Sequence, residues 1–334
     1  CSSDLGVYAL DTLDVTDRWS MTAGGRVNYA RVALTDKLGT ALNGTSSFTR
    51  FNPIIGTTYK LLPTLTAYAG YSEANRAPTP LELGCADPAA PCLIDNFLTS
   101  DPPLKQVVSK TVEAGLRGEE QAFGGKLAWS AGVFSTMNHD DIIAAPSAIA
   151  GRGYFTNAGR TRRQGVEVEA AFRMEDWSAF LAYGLVDATF RTPLTLPSPN
   201  NPFADANGNI AVAPGARLPG VPLHRIKAGF DWKVTPRWSV GADVIVTSGI
   251  YLRGDEANLN PKQPGFVTVN LRTAFKAMQN VEVYALVNNV FDRRYATAGG
   301  FFNTGAIPFL GLTDPRSLAP GTPRAFYAGV KAKF

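Results

Sequence analysis

Apolar residues return at every second position along most of this chain and nowhere gather into a long run, a pattern that limits the possible folds more than any other feature. In Trp238-Ser239-Val240-Gly241-Ala242-Asp243-Val244-Ile245-Val246 the even positions are apolar and most odd ones are small or polar. Val166, Val168, Ala170 and Phe172 alternate with Gly165, Glu167, Glu169 and Arg173. Ile226, Ala228, Phe230 and Trp232 alternate with Arg225, Lys227, Gly229 and Asp231, and Val267, Val269, Leu271 and Phe275 with Thr268, Asn270, Arg272 and Ala274. Successive side chains of a strand point to opposite faces, so these stretches are strands whose two faces meet different surroundings. Helical periodicity is nearly absent, and no apolar stretch approaches the roughly 20 residues that a membrane-spanning helix needs.

The alternation predicts an all-β chain with strands at about 4–14, 18–33, 48–61, 64–74, 107–118, 125–138, 155–173, 177–190, 222–234, 237–251, 265–277, 281–295 and 323–334. Two kinds of connection alternate strictly between them. Short turns lie near 15–17, 62–63, 119–124, 174–176, 235–236 and 278–280. Long segments rich in Pro, Gly and Asn lie near 34–47, 75–106, 139–154, 191–221, 252–264 and 296–322. Tight turns at one end and long loops at the other are the plan of a transmembrane antiparallel β-barrel, with turns in the periplasm and loops outside. A soluble sandwich has no reason to obey this rule. Asp17-Arg18-Trp19-Ser20, Glu175-Asp176-Trp177-Ser178 and Pro236-Arg237-Trp238-Ser239 each follow a short turn. Trp at one depth on several strands fits an interfacial aromatic girdle, which pairs an apolar ring body with a polar N–H.

Composition removes other classes. The 32 Lys+Arg against 28 Asp+Glu leave a net charge of +4 without a basic block, which gives no case for nucleic acid. Three Cys and two His are too few for a rich metal or thiol chemistry, and no cofactor is expected. Gly 32 and Pro 23 supply turns without making the chain low in complexity. Length alone suggests two domains, although β-barrels often exceed 200 residues as one unit. Cys1 opens directly into patterned sequence with no apolar leader, so a processed chain or a fragment is expected.

Several segments then resemble, in order, a known family. Tyr71-Ser72-Glu73-Ala74-Asn75-Arg76-Ala77-Pro78-Thr79-Pro80-Leu81-Glu82-Leu83 resembles the Tyr-Ser-x-x-x-Arg-Ala-Pro segment of TonB-dependent outer-membrane receptors. Leu104-Lys105 with Ser109-Lys110-Thr111-Val112-Glu113-Ala114-Gly115-Leu116-Arg117 resembles the family's next strand. Asn157-Ala158-Gly159-Arg160 followed by Gly165-Val166-Glu167-Val168-Glu169 is similar to a further segment. Val287-Asn288-Asn289-Val290-Phe291-Asp292-Arg293-Arg294-Tyr295 and Phe326-Tyr327-Ala328-Gly329-Val330-Lys331-Ala332-Lys333-Phe334 complete the set. The ending on Phe334, which shares a face with Phe326, Ala328, Val330 and Ala332, resembles the assembly signal of outer-membrane proteins.

The resemblance implies a barrel of about 22 strands around an N-terminal plug. The strands found here would then be its C-terminal portion, so the whole of 1–334 is expected to be a truncated receptor barrel without plug or N-terminal strands. An open sheet of this size would leave two unpaired edges, which lipid does not tolerate. The function implied is import of a scarce bulky nutrient, most simply a ferric siderophore, across the bacterial outer membrane. The implied partners are TonB with its inner-membrane energising complex, acting through the plug, together with lipid, lipopolysaccharide and the metal chelate as ligand. Three alternatives stand beside it: a passive porin, an outer-membrane barrel enzyme, and a soluble β-rich binding module such as a propeller, which would need four-strand blade repeats. An enzyme is not expected, and no catalytic residue is assigned.

Candidate residues follow. Cys85 and Cys92, separated by six residues that include two Pro, are expected to form a disulfide in an oxidising compartment, with a metal or redox pair as the rival. Cys1 is left over. His139 and His224 sit at loop–strand junctions, and His139-Asp140-Asp141 superficially resembles an acid–base set without a placed partner. The inward parity carries Glu113, Arg117, Glu167, Glu169, Arg225, Lys227, Asp231, Asp243, Asn270, Arg272, Lys331 and Lys333. These form a solvated wall, and the resemblance implies that some of them seat the plug. Arg76, Tyr154, Phe155, Tyr251, Arg253, Phe301, Phe302 and Phe309 are the loop residues expected to touch ligand, because Arg holds anionic chelates and aromatics offer apolar area at low entropy cost.

Overall fold

The computed structural model describes residues 2–37, 39, 43–84, 92–93, 104–147, 152–304, 309 and 311–333. Thirteen strands form one antiparallel sheet in which each pairs with the next: β1 (Ser2–Thr16), β2 (Trp19–Leu34), β3 (Gly44–Leu62), β4 (Leu65–Arg76), β5 (Val107–Ala122), β6 (Gly125–His139), β7 (Thr161–Arg173), β8 (Trp177–Phe190), β9 (His224–Thr235), β10 (Trp238–Thr247), β11 (Phe266–Met278), β12 (Val281–Asn288) and β13 (Ala325–Ala332). The order is linear, with β1 and β13 at its two ends.

Two of the Trp turns share one chemistry. Thr16 Oγ1 accepts from the backbone N–H groups of Arg18 and Trp19, and Thr235 Oγ1 accepts from those of Arg237 and Trp238. The hydroxyl substitutes for missing ladder partners, and in both turns the register shifts beside that Thr.

Residues paired across neighbouring strands share a face. The register runs Arg117, Ser130, Glu169, Ala182, Lys227, Ile245 and Thr268 across β5 to β11. It carries the predicted inward residues from Glu113 to Lys331 onto one polar face. All five Trp fall on the other: Trp129 pairs with Gly118, Trp177 with Trp232, Trp238 with Phe275 and Trp19 with Tyr59. Trp19 Nε1 donates to Thr57 Oγ1 at 2.7 Å and Trp238 Nε1 to Thr273 Oγ1 at 2.9 Å, so these two indoles bond to the next strand.

The packed core lies where the outer ends of the sheet meet the long loops. The largest fully buried side chains, Phe190, Ile210, Thr161, Asp255, Pro78 and Ser198, all sit at the long-loop end. One cluster joins Ala145, Ala158, Ala188, Phe190, Leu196, Ile210, Val212 and Leu218, and a second joins Val32, Leu83 and Leu104. The long connections therefore have structure that alternation did not reveal. Leu194–Pro197 pairs with Asn209–Val212, Ala296–Phe301 with Arg316–Pro320, and Ile142–Pro146 with Arg152–Asn157. The strand expected over 155–173 is thus two strands, since Gly159 turns with φ 69° between a loop hairpin and β7. The strand expected over 281–295 ends at Asn288, where Asn289 and Asp292 adopt φ 50° and 51°. Asx residues tolerate that left-handed geometry. A short helix, α1 (Pro80–Gly84), was also unforeseen. Thr79 Oγ1 accepts from Glu82 N and Glu82 Oε2 from Thr79 N, a capping box with Pro at the first helical position.

The β3–β4 ladder ends at Ile54 and Ser72, beside Pro53, which has no N–H to donate. Above it side chains take over: Asn28 and Asn52 both donate to Asn75 Oδ1, and Asn75 donates to Gln106. Arg50 and Lys110 both pair with Glu73.

Sheet packing sets a sharp contrast between two glycines of the polar face. A Cβ at Gly165 would overlap Leu185 O of the adjoining backbone, whereas one at Gly184 meets nothing within 4 Å. Gly165→Ala should destabilise the sheet by about 1–3 kcal/mol through overpacking, and Gly184→Ala should be nearly neutral. The thermal midpoint of the folded band in semi-native electrophoresis checks both.

Candidate functional site

The polar wall has a fixed part and a free part. In the fixed part Arg272 holds Asp231 with Nε at 2.9 Å and Nη2 at 2.7 Å, and reaches Asp243 with Nη1 at 2.8 Å. Asn270 donates to Asp243 at 2.6 Å and accepts from Asn289 N at 2.9 Å. Asn289 is 3% exposed and donates to the carbonyls of Arg293 and Thr322, which ties the end of β12 to the start of β13. The network stitches β9 to β12 with charge-assisted bonds.

The free part comprises Glu113, Arg117, Glu167, Glu169, Arg225 and Lys227. None of these makes an ion pair among the described residues, although all share the face. Small residues separate them in register: Glu167 is flanked by Gly132 and Gly184, and Arg225 follows Gly184. Opposite charges are thus held apart, and all six side chains are exposed.

Above the wall the long loops build a dry, polar-laced cap. Asp141, which the sequence left beside His139, is 7% exposed and accepts from Thr161 Oγ1 at 2.5 Å, Arg163 at 3.1 Å and Asn138 at 3.4 Å. It therefore clamps the β6–β7 connection and has no acid–base partner in His139. His224 Nδ1 lies 3.0 Å from Tyr183 Oη. Asp255 is 1% exposed and accepts from Leu259 N and Asn260 N, while Ser198 and Asn201 both donate to Gly254 O. Beside it, Glu256 Oε1 accepts from Gly254 N, and Oε2 is buried without a partner. Burial pushes the Glu256 carboxyl above its ordinary range. Arg316 forks Asp314 and holds its carboxyl down at about 2.

The cap separates the predicted ligand contacts into two groups. Arg76 bonds Glu82 at 2.7 Å and so braces the helix cap. Tyr154 packs on the larger loop cluster, where burial raises its phenol, and Phe155 packs on the smaller one. These three support the cap. Tyr251, Arg253, Phe301 and Phe302 gather in two adjoining loops: Arg253 N donates to Gly299 O, Phe301 covers Gly254, and Lys262 stands 5.2 Å over the Tyr251 ring. Phe309 is 83% exposed. Cys1, Cys85 and Phe334 lie outside the described residues, as does the Cys92 side chain, and so do the roles expected for them. Sequence reasoning passed over Asn289, Asp255 and Glu256; only the Thr79-x-x-Glu82 box carried a legible signal.

The profile of the family described as "TonB dependent receptor-like, beta-barrel" matches residues 2–290. The ferric-pyoverdine M114 receptor PbuA of Pseudomonas sp. strain M114 is 26% identical over 339 residues, covering 98% of this chain and 36% of the relative. The chain thus spans little more than a third of that curated relative. Among solved structures, the siderophore receptor PiuA from Acinetobacter baumannii superposes with a TM-score of 0.72 at 16% identity, over 100% of this chain and 43% of that one. The copper transporter OprC gives 0.71 at 19%, over 99% and 47%. At these identities the structural likeness is one of fold.

The buried Glu256 yields a pH prediction. Its folded pKa lies above the unfolded value of 4.5, so the folded state binds the extra proton and cap stability falls as pH rises from 4.5 through the folded pKa. Glu256→Gln should stabilise the cap at pH 7 and flatten this dependence. Hydrogen exchange of residues 252–264 across pH 4 to 8 measures it.

Proposed function

The chain belongs to the TonB-dependent receptor β-barrel family and lies in the outer membrane; from that premise we propose that it supplies thirteen strands and the outer loops of a larger barrel, of about 22 strands. The plug and the remaining strands lie outside residues 1–334. The complete protein imports a bulky metal chelate, most simply a ferric siderophore, and TonB with its inner-membrane complex supplies the energy by acting on the plug. It is a transporter and not an enzyme.

The observation that carries this reading is the contrast on the polar face. Arg272 is satisfied within the wall, whereas Glu113, Arg117, Glu167, Glu169, Arg225 and Lys227 have no ionic partner there. Charges of both signs, spaced by Gly and Ala, suit a folded domain docked against them, since each such charge gains from a partner inside a poorly solvated lumen. A passive pore gives them only water. Tyr251, Arg253, Phe301, Phe302 and Phe309 are the ligand contacts in this scheme: Arg253 meets the anionic edge of a chelate and the rings its apolar part. The name of a relative, a ferric-pyoverdine receptor, supports an iron chelate as the cargo.

The test is uptake of radiolabelled iron by whole cells that make the full-length protein, supplied as a pyoverdine-type ferric chelate, with and without TonB. Uptake is expected only with TonB, and Arg253→Ala should raise the half-saturating chelate concentration by about tenfold, the loss of one charge-assisted contact. Equal uptake without TonB, or ion conductance of the reconstituted full-length protein, supports the passive pore instead.

A further inference from the structure

In the connection between β10 and β11, residues 253–258 fasten two other connections. Arg253 N donates to Gly299 O, and Arg253 forms a parallel bridge with Gly300 on the hairpin strand Ala296–Phe301. Gly254 O accepts from Ser198 Oγ at 2.6 Å and from Asn201 Nδ2 at 2.7 Å. Asn258 Oδ1 accepts from Arg217 N at 2.6 Å, and its Nδ2 donates to Arg217 O at 2.9 Å. Gly254 stands at the centre with φ 85°. A Cβ there would lie 3.1 Å from Ser198 Oγ and 3.2 Å from the Phe301 ring, so the neighbouring loops close on bare backbone.

The group that holds this junction from within is a carboxyl. Glu256 is 5% exposed; its Oε1 accepts from Gly254 N at 3.1 Å, and its Oε2 is buried without a partner. Asp255 beside it is equally dry but satisfied, with Leu259 N and Asn260 N donating to its two oxygens. Asp255 opposes ionisation of Glu256, and Arg253, which is exposed to water, favours it. Charged groups on the adjoining loops are engaged elsewhere: Arg217 with Asp187 and the Val186 carbonyl, Arg316 with Asp314, Asp205 with the N–H groups of Asn207 and Asn209, and Lys262 over the Tyr251 ring. A neutral carboxyl is tolerable in this place. A second anion beside Asp255, dry and with one oxygen unmatched, is not.

We propose that Glu256 is a proton-operated latch: protonated, it lets residues 253–258 hold the hairpin strand Ala296–Phe301 in place, and ionised, it draws the segment towards water and frees that hairpin. Because Glu256 Oε1 is bonded to Gly254 N, the carboxylate reaches water only by pulling away from Gly254, against which Phe301 packs. Arg253 and Phe301 lie on the two sides of the latch, so the platform they form comes together with the proton bound and apart once it is lost. Since the folded pKa lies above 4.5, the junction is firmest below 4.5 and weakens as pH rises through the folded value. One proton changes the opening equilibrium by up to about tenfold per pH unit within that window. The latch itself stands on loop geometry, and its consequence for chelate capture rests on the import reading.

The experiment uses the full-length receptor in detergent and follows hydrogen exchange of the Arg253 amide without ligand, between about pH 5 and 8 and corrected for the intrinsic rate. In the unaltered protein exchange should accelerate by up to about tenfold per pH unit until the folded pKa is passed, and in Glu256→Gln it should stay level. Ser198→Ala, which loosens the same junction without touching a proton, should exchange faster at every pH with the slope unchanged. Level exchange in the unaltered protein overturns the proposal, as does an unaltered slope in Glu256→Gln. Should the Gln variant not fold, level exchange in the unaltered and Ser198→Ala proteins overturns it alone. Binding of a pyoverdine-type ferric chelate by the same proteins reads the consequence: Glu256→Gln should bind as the unaltered protein does at the acid end and more tightly at the alkaline end, whereas a ratio of affinities that is constant with pH overturns the link to capture. A receptor that binds no ferric chelate yet shows the exchange slope contradicts the import reading and upholds the latch; one that binds the chelate with level exchange does the reverse.

Discussion

Every backbone N–H and C=O at membrane depth must find a partner within the protein, because hydrocarbon offers none. A sheet whose strands each pair with the next meets that demand along its length, and it also gives the chain two faces with different chemistry. Much else in the structure follows. The apolar parity supplies Val166, Val168, Ala170 and Phe172 to lipid, and the polar parity supplies Glu167, Glu169 and Arg272 to the lumen. Where the ladder ends, beside Pro53, the amides of Asn28, Asn52, Asn75 and Gln106 bond one another across the strands, and Gln106 Nε2 also donates to the Thr49 carbonyl.

The same constraint explains where packing went. Side chains on a sheet between lipid and lumen cannot bury one another deeply, so burial concentrates where strand ends meet the loops, around Phe190 and Ile210. That loop core makes the outer surface a pre-formed cap. Under the proposed import role, pre-organisation would lower the ordering cost of binding at Arg253 and Phe301. The cap includes a tension of its own. Glu256 sits beside Asp255 with one oxygen unmatched, an arrangement that is tolerable while the carboxyl stays protonated.

Period-two alternation survives in sequence because each barrel strand is long and sees two environments, so the strands and the polar wall were legible residue by residue. The Trp repeat was legible for its depth, but the bonding of Trp19 and Trp238 to Thr57 and Thr273 needs the neighbouring strand. Strand ends were less legible. Asn289 and Asp292 stop β12 by adopting a left-handed backbone, which a pattern of polarity does not encode. The loop hairpins, at four to six residues a strand, are too short to show a period. Tyr154 and Phe155 show what polarity leaves open there: as neighbours on one strand they point to opposite sides, each into a different cluster. Sequence marks them as aromatic without saying which side is dry.

The fold requires that one parity of the sheet meets lipid and the other meets water or protein. Site-directed spin labels placed singly at positions 165 to 172 on β7 of the full-length receptor in bilayers test it most directly, through their accessibility to apolar oxygen and to a polar nickel chelate. Oxygen access should peak at 166, 168, 170 and 172 and be low at 165, 167 and 169, with the chelate excluded from the oxygen-rich positions. Equal access of both reagents at the two parities, or a period near that of a helix, would contradict it.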